Sequence, residues 1–108
     1  MARAQMDIDH EAQAAYIDLG VESRGVGGAV EISPTVNVDL DRTGAAVGVE
    51  LLSLSPDAMA WDALRRNGCL RDEDARLLEQ NLPVILEFLA RRSAAADERP
   101  VDVFYLSS

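Results

Sequence analysis

Three carboxylates lie close together in one stretch of the sequence: Asp39, Asp41 and Glu50. Acids within reach of one another can hold Mg²⁺ or Ca²⁺, or can shift one another's pKa so that one serves as general acid and another as base. The same residues also have a purely structural reading. An Asp at the start of a turn fixes that turn, and acids on the outer face of a strand simply meet water. The structural reading is preferred, because neither a second histidine nor any lysine is present to complete a catalytic set. His10, the single histidine, sits between Asp9 and Glu11, where it could act as a base but reads more simply as a surface turn residue. Cys69, the single cysteine, follows Gly68 and precedes a helix start, a place that can lower a thiol pKa. Buried or inert packing is the expectation for it. There is no G-x-S-x-G elbow, and Gly25, Gly27 and Gly28 match neither nucleotide-binding glycine pattern. No catalytic residue, metal site or cofactor is expected.

Charge narrows the partners. The chain of 108 residues has a formal net charge of −9. Its first 55 residues hold nine acids against three arginines, whereas residues 56–96 are nearly balanced with seven acids and six arginines. An acidic surface repels phosphate backbones, so nucleic acid is not an expected partner. Such a surface can attract a basic protein and speed its encounter, but the charge reads more simply as maintaining solubility alone. Arg65, Arg66, Arg71 and Arg76 around Asn67-Gly68 permit a helix-turn-helix reading, which the interspersed acids oppose. No apolar run approaches the ~20 residues that span a bilayer, and the start lacks the apolar core of a signal peptide. A cytoplasmic protein with no membrane partner is expected, and a single cysteine excludes an internal disulfide framework.

The elements that would position these residues follow from hydrophobic periodicity. Met6 and Ile8 alternate with acids, and Ala15, Ile17 and Leu19 alternate with Tyr16 and Asp18, which predicts two strands joined by a polar turn. Val30 and Ile32 mark a third strand that Ser33-Pro34 ends. Val36, Val38 and Leu40, then Val47, Val49 and Leu51, form the two arms of a hairpin around Asp41-Arg42-Thr43-Gly44. A type I turn with a glycine bulge would set Val38 opposite Gly48. A loop of two or four residues would match the apolar faces, and matched faces are expected.

Ser55-Pro56-Asp57 then reads as a capped helix start whose stripe is Ala58, Trp61 and Leu64, ended by Asn67-Gly68. A second helix begins at Asp72-Glu73-Asp74 and carries the seam Ala75, Leu78, Leu82, Ile85 and Leu89. Pro83 either kinks it or splits it, with Asn81 as a new cap. Residues 94–98 read as a weak tail or linker. Val101–Leu106 reads as a last strand, pairing back onto the sheet or onto another subunit.

Two segments carry a family resemblance. Asp9-x-Glu11-Ala12-x-Ala14-x-Tyr16-Ile17-x-Leu19 resembles the opening of the small bacterial and phage proteins of domain of unknown function 2283. His10 stands where a proline is usual and Gln13 where an acid or asparagine is usual. Val38-Asp39-x-Asp41-x-x-Gly44-x-x-Val47-Gly48-Val49-Glu50-Leu51-Leu52 is similar to that family's closing segment. The resemblance spans residues 6–54. It implies a compact, largely antiparallel sheet unit and no known activity. Such genes sometimes sit beside small toxin-like genes.

The expected fold is one α+β domain: an antiparallel sheet of four to six strands with two or three helices on one face. The expected function is a non-catalytic acidic interaction module that self-associates as a homodimer or holds a basic protein, as an antitoxin or inhibitor would. The alternatives are a structural subunit of a larger phage-like assembly and a carboxylate metal enzyme. Trp61, Leu78, Leu82, Ile85, Phe88 and Leu89 are the candidate interface, because they offer more apolar surface than one thin sheet face should cover; the equal alternative is that all of them belong to the internal core.

Overall fold

The computed structural model describes residues 4–20, 27–94 and 101–107. Six strands form one sheet: β1 (Gln5–Asp9), β2 (Ala14–Asp18), β3 (Gly28–Ser33), β4 (Val36–Leu40), β5 (Ala46–Leu51) and β6 (Val101–Tyr105). Their order is β3-β4-β5-β2-β1-β6, and each strand runs antiparallel to its neighbours. The last strand therefore pairs back onto β1, as one of the two expectations had it. The fold is the α+β architecture anticipated from periodicity. Alternation gives the sheet two unlike faces: Met6, Ile8, Ala15, Ile17, Val36, Val38, Val49 and Leu51 are buried on one of them. Each large side chain so buried contributes about 1.5–3 kcal/mol.

The β4–β5 hairpin combines both registers considered from sequence. Asp41 and Gly44 close a tight turn, with the Gly44 N–H donating to the Asp41 carbonyl at 3.1 Å and Gly44 at φ +85°. This is the glycine-bulged turn, and it sets Leu40 opposite Ala46. Continued unbroken, it would have paired Val38 with Gly48. The register shifts after this pair, so Asp39 faces Gly48 and Val38 faces Val49. A second bulge at Val47 thus restores the matched apolar faces. The expectation that Val47 shares the inner face with Val49 and Leu51 is corrected by the same bulge. Ala46 is fully buried, whereas Val47 is only partly so.

The helical half covers the apolar face. Residues Pro56–Met59 form a short 3-10 turn and not the first turn of an α-helix. Ser55 makes no side-chain cap, and Ala60 at φ 45° separates the turn from α1 (Trp61–Asn67). The expected stripe Ala58, Trp61, Leu64 is therefore broken at Ala60, although Ala58 and Leu64 are both buried.

Helix α2 (Asp72–Ala94) runs unbroken through Pro83. Pro83 and Glu79, whose carbonyl loses its donor, are both on the exposed side, where water can serve instead. Asn81 is not a cap. It is buried, donates from Nδ2 to the Leu77 and Ser107 carbonyls at 2.7 and 2.6 Å, and accepts the Ser107 N–H at 3.0 Å. The buried stripe of α2 is Asp74, Leu78, Asn81, Ile85 and Leu89, rotated slightly from the expected seam through Ala75 and Leu82. Among the described residues no helix is long and apolar enough to cross a membrane.

Candidate interaction face

Among the described residues no helix lies on the opposite face of the sheet, and register arranges its side chains in rows across the strands. One row runs Val103, Asp7, Tyr16, Glu50, Asn37, Glu31 from β6 to β3. The next runs Tyr105, Gln5, Asp18, Gly48, Asp39, Ala29. With Asp9 opposite Ala14, six acids share this face, and none of the ten arginines lies in β1–β5. Strand spacing of ~4.8 Å sets acids in one row roughly 10 Å apart, about one Debye length at physiological salt, so their fields add above the face. The bare face is acidic because most of the alternating positions that avoid the core are Asp, Glu, Asn and Gln. The covered face is apolar for the complementary reason.

Tyr16 and Asp39 are bound to one another across β5. The Tyr16 hydroxyl donates to Asp39 Oδ2 at 2.9 Å, and the ring crosses over Gly48 to do so. A Cβ at position 48 would overlap the Tyr16 hydroxyl and ring, so glycine there is what lets the ring cross to Asp39. Burial first, then the hydrogen bond to Asp39 and the charges of Asp39, Asp18 and Glu50, push the Tyr16 phenol well above its ordinary range. The raised value agrees with the geometry, in which the Tyr16 hydroxyl keeps its proton and donates it to Asp39. Because Tyr16 leans toward Gly48, it leaves a shallow hollow of about 280 Å³ on its other side, lined by Asp7, Asp9, Ala12, Ala14, Ala15, Tyr16 and Glu50.

The three singled-out acids do not converge. Asp39 is held by Tyr16, and Glu50 accepts from Asn37 Nδ2 at 3.4 Å. Asp41 lies at the hairpin end, where it is buried. Its Oδ1 accepts the Thr43 N–H at 2.8 Å, the Thr43 hydroxyl at 2.6 Å and the Ala45 N–H at 3.1 Å. Its Oδ2 pairs with the Arg71 guanidinium at 3.0 Å, tying the turn to the loop before α2. Among the described residues no three His, Cys, Asp or Glu side chains come together as a metal cluster. His10 lies in the β1–β2 turn, its carbonyl accepting from Gln13 Nε2 at 2.6 Å. Cys69 is exposed at φ 56°, so of the expected buried or inert packing the burial does not hold.

Of the candidate interface residues, Leu78, Ile85 and Leu89 have no accessible surface within the single chain, while Trp61, Leu82 and Phe88 are partly buried against the same core. The Tyr16–Gly48–Asp39 arrangement was not anticipated from sequence. Its one signal there is a glycine inside the apolar arm Val47-Gly48-Val49, which marks a close approach.

These features define an α+β protein with one antiparallel sheet, one face packed under helices and the other bare and acidic. Over residues 5–55 the chain matches the family described as "Protein of unknown function (DUF2283)". The match covers β1–β5 and stops short of the helices, in agreement with the resemblance carried by residues 6–54. Comparison with curated proteins and with solved structures finds no match.

Proposed function

We propose that the chain is a non-catalytic, cytoplasmic protein-interaction module whose helix-free sheet face receives a basic protein, in the manner of an antitoxin or inhibitor. The observation that carries the reading is the segregation of charge. Asp7, Asp9, Asp18, Glu31, Asp39 and Glu50 share one face, while the described arginines lie in the hairpin turn, the helices and the loop before α2. Such a field steers a cationic surface and fixes its register. Titration with a peptide of alternating Arg and Gly tests it by calorimetry at roughly 50 and 300 mM salt, which differ about twofold in screening length. Saturable binding that weakens with salt and is abolished by combined Asp39→Arg and Glu50→Arg supports the reading. An absence of binding at the lower salt refutes it.

Self-association belongs to the same proposal. Among the described residues no strand pairs with the outer edges of β3 and β6, and Val103 and Tyr105 on β6 are about half exposed at 52% and 54%. Light scattering at tens of micromolar should give a two-chain mass; a one-chain mass removes this part and leaves the basic-partner reading standing.

A further inference from the structure

The hollow beside Tyr16 is a consequence of register. Tyr16 lies over Gly48, which is paired with Asp18, and so leans away from Ala14 at the other end of β2. Asp7 and Glu50 are its direct neighbours on the flanking strands, and Asp9 stands opposite Ala14. The result is a recess with alanine and aromatic surfaces and three carboxylates around it. Each carboxylate is held by one oxygen: Asp7 by Gln5 Nε2 at 3.0 Å, Asp9 by the Glu11 and Ala12 N–H groups at 3.0 and 3.1 Å, and Glu50 by Asn37.

The geometry points to this hollow as the seat of one arginine side chain of the basic protein partner. This rests on the acidic-face reading above and specifies where its selectivity lies. Three carboxylates exclude an anionic group, and their charge disfavours a purely apolar one. An arginine fits both parts of the lining. Its stem lies against Ala12, Ala14 and the Tyr16 ring, and its planar guanidinium reaches carboxylates on either side of that ring. A guanidinium is less strongly hydrated than an ammonium, stacks on aromatic rings and presents donors in a fixed fork, so arginine is preferred to lysine here. The Tyr16 hydroxyl is spent on Asp39, which fixes the ring in place before the partner arrives.

The test uses the whole chain with two probes, a peptide of alternating Arg and Gly and its Lys counterpart, read by calorimetry and by backbone amide shifts. Ala14→Met fills the hollow without changing charge. Glu50→Gln and Glu31→Gln each remove one charge from the same face, inside and outside the hollow respectively. The Arg peptide should bind more tightly than the Lys peptide and shift the amides of Ala14, Tyr16 and Glu50. Ala14→Met and Glu50→Gln should each weaken it about tenfold, and Glu31→Gln about twofold. Equal effects of Glu50→Gln and Glu31→Gln, with Ala14→Met silent, overturn the hollow and leave the acidic face intact as the binding surface. Failure of the wild type to bind either peptide overturns both. If circular dichroism shows Ala14→Met to be unfolded, the Glu50→Gln and Glu31→Gln pair decides alone.

Discussion

Placing a methyl group at position 48 tests the reasoning about the bare face directly. Gly48 is not in the left-handed region, so alanine is tolerated by the backbone itself. Its Cβ would collide with the far end of the Tyr16 side chain, which can rotate, and not with the sheet backbone. The predicted cost of Gly48→Ala is therefore the Tyr16–Asp39 hydrogen bond. A bond to a charged acceptor is worth about 1.5–3 kcal/mol when buried, and partial exposure brings this to about 1–1.5 kcal/mol. Against it stands a gain of about 0.5 kcal/mol from the reduced freedom of the unfolded chain.

The net loss of about 0.5–1 kcal/mol is small, so the decisive measurement is a double-mutant cycle by urea unfolding. In a Tyr16→Ala background nothing remains to collide, and Gly48→Ala should stabilise by about 0.5 kcal/mol. The coupling between the two sites should thus be about 1–1.5 kcal/mol. A coupling below about 0.3 kcal/mol, the usual error of additivity, would refute the account of why glycine occupies this position.

Three further outcomes follow from the same structure. Val49→Asp should abolish cooperative unfolding in circular dichroism, since Val49 is fully buried between Val38 and Ile17 and an unpaired charge there has no partner; a folded variant would contradict the core assignment. Asp41→Ala removes the acceptor of three turn hydrogen bonds and of Arg71, and should cost about 3 kcal/mol in urea unfolding. A loss under about 1 kcal/mol would reduce Asp41 to a surface turn residue. Tyr16 should ionise later than an ordinary tyrosine in ultraviolet titration, and Asp39→Asn should bring it back toward the usual range. Because the folded state holds this proton more tightly than the unfolded chain, stability should be undiminished below about pH 10 and fall as pH rises beyond it.

The sequence revealed the elements more readily than their junctions. Alternation at Met6/Ile8, Ala15/Ile17 and Val36/Val38 is a local signal, and the strands lie where it puts them. The second bulge at Val47 answers to a long-range demand, that Val38 meet Val49 and Val49 meet Ile17, so local turn chemistry could not locate it. Pro83 is a strong local breaker that proved compatible with a continuous helix because it lies on the exposed side. Asn81 looked like a cap because its use depends on Ser107, distant in sequence. The same limit hid the candidate site. Tyr16, Gly48 and Asp39 come from three different strands, and only the register makes them neighbours.

The split of the sheet into a core face and a bare face has a consequence during synthesis. β1–β5 are complete at Leu51, but their cover is complete only with Leu78, Ile85 and Leu89 of α2. At ~5–20 residues per second, a half-made chain carries a naked apolar surface for roughly 2–8 s. Through that interval its first 55 residues hold nine acids against three arginines, so neighbouring nascent chains repel one another while the oily side waits for its lid. A purified chain truncated after residue 55 should accordingly be digested quickly by protease, and the full chain slowly. The acids would then act as a temporary chaperone written into the chain, before any partner is met.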